Sequence, residues 1–220
     1  FLVDRDADGV TLTQQFTIAS DCQYRVDLED VAATKVEGAT WETWHRTMLD
    51  GAILQAAAAV GGARYALDIT NQYAKDRQQF GAAVGSFQAI QHRFADIACD
   101  LDGADLLANK AVWALDVGDP VGSSFPSMAF WFAGDVAQRQ ASWSLHVHGG
   151  YGFMEEYDIQ LYFRRAKAAR LLLGDPRREL IGLAGRLWNN PTTGPIPTSA
   201  YRPTNTGKAD AAAHGTYAEP

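Results

Sequence analysis

Hydrophobic and polar positions alternate near the start of the chain and then change to a helical period. Phe1-Leu2-Val3 is a short apolar run, and Gly9-Val10-Thr11-Leu12-Thr13 alternates with β-branched residues. Tyr24-Arg25-Val26-Asp27-Leu28 alternates apolar with charged positions, as a half-buried strand does. Three strands are therefore expected within residues 1–33, too few for a closed sheet and with two open edges. Their partners are expected upstream or on another chain. Residues 34–48 read as a connector, with Trp41 and Trp44 as packing anchors.

From Met48 the pattern turns helical. Asp50 is placed to cap a helix over Gly51 to Arg77, Ala-rich, with Leu54, Val60, Tyr65, Leu67 and Ile69 among small residues. Gly61-Gly62 inside it costs about 1 kcal/mol per Gly relative to Ala, so the pair points to close approach of another helix or a ligand. Phe80-Gly81 ends this helix, and Gly85 or Ser86 caps a second, running to about Asp116. Along it Ile90, Phe94, Ile97, Leu101, Leu107 and Val112 recur at helical spacing, and Gly118-Asp119-Pro120 breaks it. A third helix covers 125–146 and carries Phe125, Phe130, Trp131, Phe132 and Trp143, a cluster suited to a core or an interface. After the loop His148–Gly152, a shorter helix runs from Asp158 to Leu173, and Pro176 opens a last one ending near Trp188. Residues 49–188 thus form a mainly α, antiparallel helical bundle, preceded by a few β-strands. Residues 189–220 hold five of the eight prolines and read as a flexible tail.

Composition narrows the partners. With 26 acidic against 19 basic side chains and a net charge of −7, nucleic acid and anionic membrane surfaces are poor partners. No apolar run is long enough to span a bilayer. Cys22 and Cys99 lie far apart without metal-ligand spacing and read as free thiols of a reducing compartment, so a cytoplasmic setting is expected. The start at Phe1, without Met or a leader, reads as an entry into the middle of a longer polypeptide.

Three segments say more. The first is Ala63-Arg64-Tyr65-Ala66-Leu67-Asp68 with Tyr73-Ala74-Lys75-Asp76-Arg77-Gln78-Gln79-Phe80-Gly81. The second is Gly85-Ser86-Phe87-Gln88-Ala89-Ile90-Gln91-His92-Arg93-Phe94. The third is His148-Gly149-Gly150-Tyr151-Gly152-Phe153, followed by Leu161-Tyr162-Phe163-Arg164-Arg165-Ala166-Lys167. In this order they resemble the C-terminal helical domain of flavin-dependent acyl-CoA dehydrogenases, over about residues 1–188, with residues 1–33 similar to the end of the family's middle β-domain. The nearest likeness is to a bacterial branch that includes heterotetrameric enzymes acting on CoA thioesters of steroid side chains.

The resemblance implies a tetramer in which each subunit reaches over its neighbour's FAD, with acyl-CoA as substrate and electron-transfer flavoprotein as acceptor. It places Arg77, Phe80 and Gln88 at the pyrophosphate and adenosine end, with Gly149 and Gly150 receiving the adenine side. The chemistry fits, because a guanidinium forks onto phosphate oxygens and a glycine pair admits a close ligand. His146 stands where many relatives carry a cofactor-contacting Gln. His148 reads as a packed or surface histidine.

The family reaction needs a carboxylate to take the α-proton of the thioester. The resemblance gives two places for it, and here they hold Leu173 and Gly51; Ala52 stands where several relatives have a substrate-facing Arg. Leucine takes no proton and glycine has no side chain. Asp50, one residue away, is the weak candidate, and Asp175 reads as a helix cap. The expectation is a subunit without its own base that acts beside a catalytic partner. Two other readings remain: a structural or interaction bundle without flavin, and a flavin monooxygenase on the same fold.

Overall fold

The computed structural model describes residues 1–189. Strands β1 (Val10–Gln15) and β2 (Gln23–Leu28) pair antiparallel, with Val10 opposite Leu28 and Gln15 opposite Gln23. Phe1-Leu2-Val3 forms no third strand; Leu2 makes only an isolated bridge to Thr34. The loop between the strands is fastened to the helical body, where Arg164 Nη1 donates to the Ile18 carbonyl at 3.2 Å and to Ser20 Oγ.

Helix α1 (Trp41–Asp76) starts inside the expected connector. Thr40 is the reason. Its Oγ1 accepts from the Thr43 N–H at 3.1 Å, and Thr43 Oγ1 accepts from the Thr40 N–H at 2.9 Å, a reciprocal cap that satisfies two donors at the helix start. Asp50, expected to be the cap, therefore lies within α1 and pairs on the exposed flank with Arg46, 3.3 Å away. Trp41, expected to anchor the connector, is 69% exposed, and Trp44 is exposed as well.

After α1 the chain turns through a two-residue-per-strand hairpin, β3 (Gln78–Gln79) with β4 (Ala82–Ala83). Phe80 and Gly81 form its tip, both at positive φ (55° and 82°), so Phe80-Gly81 is a hairpin turn and not the helix end itself. One 3-10 turn (Val84–Ser86) leads into α2 (Gln88–Asp116); Ser86 Oγ turns back to the Ala83 carbonyl and does not cap it. Helix α3 (Phe125–His148) runs two residues beyond expectation, whereas α4 (Ile159–Ala169) stops short of Leu173. Helix α5 (Pro176–Ala184) ends in a π-turn, Gly185–Asn189. The expected tail, from its second residue on, lies outside the described residues.

Helix α3 is the centre of the bundle, packed on α1 and α2, with α4 laid across α1 and α3. The seam is built mainly from alanine: Ala56, Ala63, Ala104, Ala108, Ala133 and Ala137 surround Ile53, Val60, Ile97, Leu101 and Val136. Small side chains let the axes approach closely, so burial comes from backbone and Cβ contact as much as from large groups. Phe130 is buried, while Phe125, Phe132 and Trp143 pack half-buried against this seam. A polar ladder crosses it. Thr70 Oγ1 lies 2.7 Å from Ser144 Oγ, whose hydroxyl donates to Gln140 Oε1 at 3.0 Å, and all three residues are fully buried.

Candidate functional site

A groove of about 490 Å³ opens where the end of α1, the small hairpin and the turn after α3 converge. Its position follows from two helix ends. Helix α1 stops at Arg77, an extended C-cap whose N–H still bonds the Tyr73 carbonyl at 2.9 Å. Helix α3 stops at Gly149, at φ 59° and ψ −134°, its N–H shared between the Leu145 and His146 carbonyls. Glycine tolerates that backbone without strain. A Cβ built at Gly149 or Gly150 would meet nothing within 4 Å, so the main chain here faces open space.

Arg77 projects into the groove with its Cζ 5.6 Å from the centre of the Tyr151 ring. Among the described residues no carboxylate lies within ion-pair distance of it. Behind it stands an aromatic wall: Tyr73 stacks on His148 at 4.2 Å between ring centres, and Tyr151 packs on Tyr157 at 5.4 Å. His148 is 3% exposed, and its Nδ1 donates to the Ser144 carbonyl at 2.8 Å, which fixes the tautomer. Burial holds its pKa below the usual histidine value, against the pull of that hydrogen bond. The same desolvation raises the Tyr73 phenol, with Arg77 pulling the other way.

The structure thus brings Arg77, Gly149 and Gly150 together. Phe80 and Gln88 do not line the groove: Phe80 is 96% exposed at the hairpin tip, edge-on to Phe87, and Gln88 is the exposed first residue of α2. His146 is not brought to the groove; it points outward and stacks on Trp143, ring centres 5.0 Å apart. Helical geometry explains this, since His148 takes the inward-facing position two residues on. The sequence reading missed Tyr73, Tyr151 and Met154, which also line the groove. Tyr151 stood inside the glycine motif and was the available signal; Tyr73 owes its place to a partner at the far end of α3.

The groove fits a negatively charged, elongated ligand. An unpaired guanidinium beside open glycine backbone offers charge and close approach to phosphate oxygens, and the tyrosine faces offer a surface for a flat ring. No group of three or more His, Cys, Asp or Glu among the described residues could hold a metal ion.

Leu173 lies elsewhere, packed against Leu49, Ala52 and Phe130. The cavity it lines is only about 10 Å³, and Arg170 and Glu179 border it. Glu179 escaped the sequence reading because it sits in α5, six residues after Leu173 and next to nothing that marks it. Asp50 does not border this cavity. Asp175 caps α5, accepting from the Arg177 N–H at 2.9 Å. Gly51 is open; a Cβ there would meet nothing within 4 Å. A third cavity, about 300 Å³, runs between α1, α3 and α4, walled by Gly62, Ala63, Ala66, Gly134 and Ala137. A Cβ built at Gly62 would sit 4.0 Å from the Tyr162 ring, an ordinary contact, and one at Gly61 would meet nothing within 4 Å, so among the described residues the close approach expected of the glycine pair is not found.

The family model described as acyl-CoA dehydrogenase, C-terminal domain, matches residues 39–182. An acyl-CoA dehydrogenase of Mycolicibacterium smegmatis, IpdE2, is 38% identical over 176 residues, covering 79% of this chain and 55% of its own length. A probable acyl-CoA dehydrogenase of Bacillus subtilis, YngJ, is 34% identical and covers 84% of this chain and 51% of itself. Among solved structures, a variant of the Tcur3481–Tcur3483 steroid ACAD superposes with a TM-score of 0.80 at 30% identity, over 87% of this chain and 52% of that one. The ChsE4–ChsE5 complex of Mycobacterium tuberculosis gives a TM-score of 0.76 at 29% identity, over 85% of this chain and 51% of that one. The chain spans about half the length of the curated relatives it matches.

Proposed function

The chain belongs to the acyl-CoA dehydrogenase family, and from that premise we propose that it is the helical, cofactor-contacting part of an FAD-dependent subunit that has lost its own base. The reaction is the α,β-dehydrogenation of an acyl-CoA thioester. A steroid side-chain thioester is the substrate class favoured by the likeness to a steroid ACAD.

Arg77 would hold the pyrophosphate of FAD, and Gly149 and Gly150 would admit its adenosine end against bare backbone. Phe80, exposed at the hairpin tip, and Gln88, exposed at the start of α2, would close over the same cofactor from this subunit. The flavin supplies the hydride acceptor. Release of the α-proton needs a carboxylate, and the observation that carries the inert-subunit reading is the packing at Leu173. An isobutyl group sits among Leu49, Ala52 and Phe130, with about 10 Å³ of free space beside it. Neither that side chain nor Gly51 can accept a proton. A base-bearing homologous subunit in a heterotetramer would provide the proton acceptor, with electron-transfer flavoprotein taking the electrons in a cytoplasmic setting.

Reconstitution tests this. The protein purified with its partner should be yellow and should oxidise acyl-CoA with an artificial electron acceptor, whereas the chain alone should not. Robust activity of the chain alone, lost on Asp50→Asn or Glu179→Gln, would falsify the inert-subunit reading. A colourless assembly would identify a bundle retained for structure alone.

A further inference from the structure

We propose that Tyr151 is a positioning residue of the groove: its ring holds the Arg77 guanidinium in place for phosphate oxygens, and Gly152 fixes that ring. This role rests on the flavin reading of the groove and supplies what prepares it for the cofactor. The backbone of Arg77 is held at both ends, its N–H on the Tyr73 carbonyl at 2.9 Å and its own carbonyl accepting from the Val84 N–H at 2.8 Å. The side chain is long and flexible. No carboxylate among the described residues pairs with it, and its guanidinium carbon lies 5.6 Å from the centre of the Tyr151 ring, within cation–π reach. An aromatic ring holds a guanidinium through its flat face and leaves the in-plane N–H fork open for phosphate. A carboxylate would occupy that fork and cancel the charge.

The ring itself is anchored from α3. Gly152 is buried against the last turn of that helix, where a Cβ would come within 2.8 Å of the Leu145 carbonyl oxygen and 3.2 Å of the His148 Cβ. A side chain there would push the Gly149–Phe153 turn off α3, so glycine lets the turn lie close and sets the place of the residue before it. The Met154 N–H closes the turn on the Tyr151 carbonyl at 3.2 Å. Tyr151 packs at 5.4 Å on Tyr157, whose ring meets His148 edge-on at 6.5 Å. His148 is pinned in turn by the Ser144 carbonyl, 2.8 Å from its Nδ1. A series of rings thus runs from the fixed backbone of α3 out to the Arg77 side chain. Holding that side chain before the ligand arrives removes part of the ordering cost of binding.

The test reads FAD dissociation from the purified, assembled protein by recovery of flavin fluorescence on dilution. Tyr151→Leu should weaken FAD binding about two- to fivefold, the scale of an exposed cation–π contact. Tyr151→Phe keeps the ring and should match the wild type. Arg77→Gln and Tyr151→Leu should not add: once the guanidinium is gone, loss of the ring should cost nothing further. Crystal structures should show Arg77 ordered against the ring in the wild type and in Tyr151→Phe, and displaced in Tyr151→Leu. The role is overturned if Tyr151→Phe is as weak as Tyr151→Leu, if the guanidinium stays unmoved in Tyr151→Leu, or if the losses add, since additivity means the ring touches the cofactor directly. A colourless protein, or Arg77→Gln without effect on FAD, would instead sink the flavin reading. Displacement of Arg77 in Tyr151→Leu would then still sustain the pair, and an unmoved Arg77 would overturn it.

Discussion

His148 shows how one side chain links burial to pH. It is almost fully enclosed under Tyr73, and burial depresses its pKa from 6.5. The unfolded chain therefore binds a proton here that the folded one refuses. Stability from this group is complete above the unfolded value, and it falls as pH drops below about 6.5 toward the depressed folded value. Thermal melts across that window should show a steeper acid limb for the wild type than for His148→Gln; equal slopes would mean the imidazole charges freely in place. Arg77 makes the complementary case at the surface. Arg77→Gln should leave melting of the flavin-free protein nearly unchanged while lowering flavin recovered per chain about tenfold or more, the worth of a charge-assisted contact. Arg77 and the Gly149-Gly150 pair were singled out by the family resemblance of their motifs, and the structure brings them to one groove. The Tyr73–His148 stack was not legible in the sequence, since it joins residues at the far ends of two long helices and no local spacing encodes it.

Helix boundaries were legible where the residue chemistry was unambiguous. Gly174-Asp175-Pro176 marked the start of α5, and Asp175 does cap it. This separates a cap from a base: Asp175→Ala should cost about 1 kcal/mol in denaturant unfolding, while Asp175→Asn, which keeps the capping oxygen, should be nearly neutral for stability and turnover. Turnover abolished in Asp175→Asn would assign the carboxylate a chemical role. The start of α1 was misjudged for a physical reason. The usual reciprocal cap has Glu or Gln at its third helical position, but here Thr43 closes it, and Asp50, ten positions after the true cap Thr40, drew the assignment instead. Thr40→Ala should likewise cost about 1 kcal/mol. The alanine seam was equally hard to see. Val112 recurs at helical spacing and Leu54 and Tyr65 stand among small residues, yet all three are exposed, and the contact runs through the small residues between them.

At the scale of the whole molecule, the same choice of small core residues leaves large apolar groups outside. Phe80, Phe153, Tyr151 and Met154 stand exposed around the Arg77 groove, while Ile181 and Trp188 stand exposed on α5 and its last turn. Soluble monomers rarely leave such groups clustered in water, and a patch around a charged groove is the form taken by an interface that closes over a ligand. An assembly with other chains would cover them. Sedimentation velocity at micromolar concentration should therefore return a mass well above the 23.9 kDa of the single chain. The double variant Phe80→Ser with Phe153→Ser should shift the distribution toward the single chain and release flavin in parallel, since both rings border one seam. A monomer in the unsubstituted protein, or a variant that dissociates while keeping its flavin, would separate assembly from cofactor binding and place the Arg77 groove within one chain.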